Sequence, residues 1–231
     1  MHVLLSTAYF PPIEWLARVV QSKSYILEAH EHFQKQSFRS RMHISGPNGL
    51  LKLSIPVERK CKAIKKVRIS YSENWIKDHL KAIESAYANA PYFEVLFPDV
   101  QAVLQERFET VWELNAATIA LFSHWLEVEM PHHETTEYIA ITEIQDFRGI
   151  HPKLDSGLNY PTYGQVFAHK NGFQNNLSAL DLFFNLGRSS WDYLNALKSL
   201  APQKEPHNHM ALTYNTNEAD IHPLLSERKR R

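Results

Sequence analysis

The amino-acid sequence predicts an α/β fold: an N-terminal parallel or mixed sheet with a β-α-β unit and a β-hairpin, followed by a largely helical second half. Three observations point there. Residues 3–6 are apolar and run into an aromatic-proline stop, as a buried first strand would. Residues 25–33 alternate, with Tyr25, Leu27, Ala29, Glu31 and Phe33 on one side and Ile26, Glu28, His30 and His32 on the other. Beyond residue 100 the apolar spacing lengthens to that of helices.

Each element follows from local chemistry. Tyr9-Phe10-Pro11-Pro12 ends the first strand because proline brings no ladder donor, and Pro12 suits the first turn of the next helix. Ile13, Leu16, Ala17 and Val20 form that helix's buried stripe. Strand, helix and the strand at Tyr25 make one β-α-β unit, whose crossover should be right-handed and whose strands should be parallel. Residues 42–44 and 50–57 read as hairpin strands, with Asn48-Gly49 the turn dipeptide because both positions tolerate positive φ. Residues 67–70 read as a further strand.

From Asn74, the residues Ile76, Leu80, Ile83 and Tyr87 space out a buried helical stripe. Trp75, His79, Ala82 and Ala86 form the neighbouring row, which places His79 at the edge of the buried face. Ala90-Pro91-Tyr92-Phe93 breaks the helix. Residues 100–129 then read as one long amphipathic helix, or two joined near Asn115. Residues 139–141 look strand-like. Residues 146–164 are rich in turn formers, a length of irregular chain that is often functional. Residues 177–186 and 191–200 read as closing helices, with Ser178 as N-cap and Gly187 as stop. Three regions result: a sheet region over 1–98, a mostly helical region over 99–201 packed on it, and a mobile tail over 202–231 that ends in a basic cluster.

Composition narrows the function. Hydrophobic residues at 44% and charged residues at 22% are those of a soluble globular protein. Lys+Arg and Asp+Glu balance at 25 each, so no global field draws in nucleic acid or an anionic membrane. No window approaches a membrane span and no basic leader precedes an apolar run, so a cytoplasmic protein is expected. Cys61 is the only cysteine, which excludes an intrachain disulfide and a cysteine zinc site. It sits among Lys60, Lys62, Lys65 and Lys66, but no base stands beside it to make a nucleophile.

The chemistry lies near the second strand. His30 and His32 share a strand face, yet no third ligand is indicated by spacing, so no metal is expected. No Gly-rich phosphate loop, nucleophile elbow or dinucleotide fingerprint occurs, and no cofactor is implied. Cations follow instead: Lys35, Arg39 and Arg41, near Tyr9 and Phe10 of the aromatic loop. Guanidinium forks suit phosphate or carboxylate, and aromatic rings suit a base or sugar face. In open parallel sheets ligands sit beyond the carboxyl ends of the strands, where the loop after residue 6 and the segment 31–41 should both lie. The expected guest is an anionic small molecule. The alternative is a solvated hairpin with ordinary surface charges. Oligomeric state is left open.

These blocks resemble the WbqC-like family of bacterial proteins. The resemblance rests on Ala8-Tyr9-Phe10-Pro11-Pro12, on Lys35-Gln36-Ser37-Phe38-Arg39-Ser40-Arg41, on Asn48-Gly49 with Ile55-Pro56-Val57, and on the helix containing His79 and Tyr87. It continues with Tyr160-Pro161, Gln165-Val166-Phe167, Gly172-Phe173 and the closing run 180–187. There are departures. Ser6 and Thr7 stand where the family often has Gln, and Glu28 with His30-Glu31-His32 replaces the usual Asp-Asp near the end of the second strand. The resemblance implies a role near sugar nucleotides or transfer to a sugar in surface-polysaccharide biosynthesis, and supplies no catalytic residue.

The expectation is therefore a transferase acting on an activated anionic small molecule, a sugar nucleotide or an activated acyl or amino donor. Tyr9, Phe10, His30, His32, Lys35, Arg39 and Arg41 would bind it, and His79 would be the general acid/base. Asp181 and Asn185, four apart on a helix, would position a hydroxyl or amine, or else merely cap and bridge helices. The alternative is a non-catalytic binding or assembly protein that keeps such a pocket.

Overall fold

A computed structural model describes residues 2–58, 61–140 and 143–199. In chain order its elements begin with β1 (His2–Leu5), α1 (Ile13–Val20), β2 (Ser24–Leu27), β3 (Arg41–Gly46) and β4 (Gly49–Ser54). Then come α2 (Trp75–Tyr87), α3 (Phe93–Gln105), α4 (Val111–Leu126), β5 (His132–Glu134), β6 (Gln145–Asp146) and β7 (Leu158–Asn159). The chain closes with α5 (Ala168–Asn171), α6 (Ala179–Leu186), α7 (Ser190–Ala196) and β8 (Lys198–Ser199). The tail expected over 202–231 lies outside the described residues.

Four strands form a sheet in the order β5-β2-β1-β6, and every pairing in it is parallel. Val3, Leu4 and Leu5 are all buried, as a strand covered on both faces requires. The expected β-α-β unit is there, β1 and β2 pairing from His2↔Ser24 to Leu5↔Leu27. The other two strands come from residues 132–146, so the sheet draws on both regions marked out in the sequence. One core cluster likewise runs from Val3 to Leu197.

The second strand is shorter than its alternation implies. It ends at Leu27, because the Glu28 carboxylate turns the chain by accepting from the His30 amide at 3.0 Å, while the Ala29 amide goes to Thr135 Oγ1 at 3.0 Å. Glu28 is itself fully buried, while His30 and His32 on the same side of the alternation are exposed. In the β3–β4 hairpin Gly46 pairs with Gly49, so Pro47 and Asn48 are the turn residues. The positive φ, +100°, falls on Gly49 alone of the expected pair. Residues 67–70 make only isolated bridges, Val57↔Ile69 and Arg68↔Thr110.

Helices depart from expectation in placement. In α2 the buried residues are Trp75, His79, Ile83, Ala86 and Tyr87, which puts His79 inside the core rather than at its edge. The long segment is two helices, but they part at residues 106–110. There Thr110 and Glu113 form a reciprocal capping box that starts α4. Asn115 lies inside α4, where its buried amide donates to the Arg39 carbonyl at 2.9 Å. α3 begins at Phe93 and continues through Pro98. No strand forms over 139–140; β5 and β6 flank that stretch instead. Ser178 caps α6 by accepting from the Leu180 amide, and Gly187 ends it at φ +55°. α7 stops at Ala196, and β8 then pairs antiparallel with β7.

Candidate functional site

Three loops leave the carboxyl edge of the sheet side by side. The loop after β1 carries Ser6, the loop after β2 carries Glu28 through Arg39, and the loop after β6 carries Arg148 and Gly149. The chain runs from β1 to β2 on one side, while β6 joins β1 on the other, so the strand order reverses at β1. Open α/β sheets bind ligands at such a switch point. A cleft of about 810 Å³ opens here, lined by His30, Glu31, His32, Gln34, Arg39, Tyr138, Asp146, Arg148 and Gly149.

Its floor is an ion pair. Arg39 donates Nε to Glu31 Oε1 at 2.7 Å and Nη2 to Glu31 Oε2 at 2.5 Å, a bidentate fork. Ser6 completes it, donating to Glu31 Oε2 at 2.8 Å and accepting from Arg39 Nη2. Glu31 and Arg39 are both buried. The predicted meeting of the first loop with segment 31–41 is therefore real, and it is made through these three side chains.

The wall is a second network. Glu28 accepts from the His30 and Ile139 amides, from the Thr135 hydroxyl at 2.7 Å and from Arg148 Nη1 at 3.0 Å. Arg148 also donates Nη1 to the Ile139 carbonyl and forks onto Asp146 through Nε and Nη2. Those bonds hold the Asp146 carboxyl below its ordinary pKa against the opposing effect of burial. The guanidinium of Arg148 lies 5.2 Å from the centre of the Tyr138 ring, whose exposed side chain walls the cleft.

Of the binding residues expected from sequence, His30, His32 and Arg39 line this cleft. Arg39 does so with its fork already filled, which corrects the expectation of a free anion grip. The others lie elsewhere. Lys35 is exposed, and Arg41, half-buried, donates Nε to Ser54 Oγ at 3.0 Å. Tyr9 and Phe10 are fully buried core residues, Phe10 at φ +37° and packed edge-on against Phe122. Neither offers a ring to a ligand.

His79 does not line the cleft either. Its Nδ1 is 2.9 Å from the Tyr9 hydroxyl, and the ring also bonds the Ser54 main chain. Burial pushes its pKa down to about 4, which leaves it neutral at pH 7 with no proton to give. Asp181 is fully buried in α6, where Oδ1 accepts from the Tyr163 hydroxyl at 2.5 Å and from Gln165 Nε2 at 3.0 Å. Burial raises its pKa to about 6. Asn185 donates to the Asp181 main-chain carbonyl, so the pair bonds along the helix rather than toward a ligand. Cys61 is half-buried.

Sequence reasoning missed Gln34, Tyr138, Asp146, Arg148 and Gly149, and treated Glu28 and Glu31 only as departures from a pattern. Asp146, Arg148 and Gly149 belong to a stretch with no period, where only its unusual length was a signal.

Residues 7–155 match the profile of the WbqC-like protein family. The uncharacterized protein Rv1507c of Mycobacterium tuberculosis is 21% identical over 221 residues, covering 83% of this chain and 96% of the relative. No solved structure matches the chain. Every residue that lines the cleft falls inside the span matched by the profile, and the chain belongs to the WbqC-like protein family.

Proposed function

We propose that the protein is a transferase that acts on an activated anionic small molecule, a sugar nucleotide or an activated acyl or amino donor, in bacterial surface-polysaccharide biosynthesis. One observation carries the reading: a cleft of about 810 Å³ at the carboxyl edge of a parallel sheet, floored by the Ser6–Glu31–Arg39 network and flanked by His30 and His32. The volume is that of a small-molecule site. Tyr138 offers a ring face to a sugar, and Gln34 and Asp146 offer polar atoms to hydroxyls or an amine. The exposed His30 or His32 would take the proton from an attacking hydroxyl or amine as general base.

The test is turnover of nucleotide-activated sugars with amine and hydroxyl acceptors, followed by mass spectrometry. The His30→Ala/His32→Ala double variant should lose about 10²- to 10⁴-fold in kcat while ligand-induced thermal stabilisation survives. A double variant that turns over like the wild type sinks the assignment. The second reading, a binding protein without chemistry, is favoured by the saturation of Arg39 and Arg148 with carboxylate partners. It predicts stabilisation by the same ligands and no product with any acceptor.

A further inference from the structure

Both guanidinium groups in the cleft already hold carboxylates, so the negative charge of an anionic substrate must be met elsewhere. The β3–β4 hairpin supplies such a place. Its register sets Arg41 opposite Ser54 and His43 opposite Lys52. Side chains alternate along a strand, so these four residues share one face of the hairpin. The 3.0 Å bond from Arg41 Nε to Ser54 Oγ agrees with that placement.

This face is cationic and uncompensated. Among the described residues, the Nη groups of Arg41 meet no acceptor, and neither Arg41 nor Lys52 is paired with a carboxylate. His43 is only 7% exposed, yet its Nε2 is buried with no hydrogen-bond partner among the described residues. A buried donor or acceptor left unpaired costs about 1–3 kcal/mol, so an orphan on a cationic face needs an explanation. Burial, then Lys52 and Arg41, push the His43 pKa down to about 4.

The face also adjoins the cleft. Arg41 lies two residues beyond Arg39 of the floor, and His151 lies two residues beyond Gly149 of the wall. His151 feels the charges of Lys153, Arg39 and Arg41 together, so cations of both the floor and the hairpin act on it. Burial and those three cations all lower its pKa, and no carboxylate opposes them.

We propose that the Arg41, His43 and Lys52 face of the hairpin, bordered by His151 and Lys153, is an anion subsite that holds a phosphate or diphosphate ester while the rest of the substrate occupies the adjoining cleft. The proposal rests on the reading of the cleft as a substrate site. Arg41 provides a planar fork for two phosphate oxygens, Lys52 a mobile ammonium, and His43, with its proton on Nε2, the unpaired group that the anion would satisfy. It also returns Arg41 to the ligand-binding role expected of it, with partners that the sequence alone did not suggest.

Isothermal titration of the full chain with inorganic pyrophosphate at low ionic strength tests it. The wild type should bind saturably. Arg41→Ala and Lys52→Ala should each weaken binding about tenfold, and the pair should abolish it, since each removes a charge-assisted contact. Lys23→Ala, an equal loss of charge at the amino edge of the sheet, should change nothing. Lys52 is exposed on an edge strand, so its variant keeps the test open should Arg41→Ala fold poorly. NMR of the His43 ring should show its pKa rising on titration with pyrophosphate. Parallel titrations with uridine diphosphate and coenzyme A separate nucleotide from acyl-carrier phosphate.

Absence of saturable binding, or binding indifferent to both hairpin variants, overturns the subsite and leaves the transferase assay free to succeed. Arg41-dependent binding in a protein that makes no product keeps the subsite and removes the transferase.

Discussion

His79 shows how strongly burial can recast a single residue. A histidine with a near-neutral pKa invites an acid/base role from sequence, but at 4% exposure and pKa about 4 it is a neutral core group that bonds Tyr9 and Ser54. The unfolded chain takes up a proton below about pH 6.5, whereas folded His79 does so only near pH 4. Stability is therefore lost as pH falls through that window. Asp181 works in the opposite sense: its folded pKa is raised from 3.8 to about 6, so its contribution is lost as pH rises through that interval. Replacing His79→Phe should make urea-unfolding stability fall less steeply between pH 6.5 and 4, by up to about 1.4 kcal/mol per pH unit. Equal slopes would deny that burial depresses this histidine. At this scale His30, His32 and Arg39 were legible because they cluster in sequence. Arg148 and Tyr138 were not, because only folding brings them from the irregular stretch beyond β5 to Glu28 and the cleft.

Elements were legible where a local signal was strong and hidden where the signal was tertiary. α1, the hairpin and α6 followed from proline, Asn-Gly and Ser178, each acting within a few residues. β5 is His132-His133-Glu134, exposed throughout, and β6 has only two residues. Neither carries an apolar period; each exists because an adjacent strand offers its ladder. The boundary between α3 and α4 escaped apolar spacing because it is set by the polar capping box at Thr110 and Glu113. Thr110→Ala should accordingly cost about 1 kcal/mol in chemical denaturation. The Thr110→Ser variant, which keeps the hydroxyl, should recover most of it. Loss of equal size in both would assign the effect to packing of the threonine methyl.

For the whole molecule, Arg148 ties three distant pieces together: Glu28 after β2, the Ile139 carbonyl, and Asp146 of β6. Replacing it with Met would strand the fully buried Glu28 carboxylate, and breaking a buried pair costs about 3–5 kcal/mol. Hydrogen exchange at the Ile139 amide, which donates to that carboxylate, should accelerate in Arg148→Met well before the amides of β1 and β2 respond. Uniform acceleration would mean that the tie is global. The order of strands has a further consequence for the nascent chain. β1 meets β2 early in translation, but its opposite edge stays bare until β6 leaves the ribosome, long after α2, α3 and α4 have emerged. A polypeptide stalled before Gln145 would present a row of unfilled amides and carbonyls beside a floor that lacks its Asp146 and Arg148 wall, a shape suited to chaperone capture.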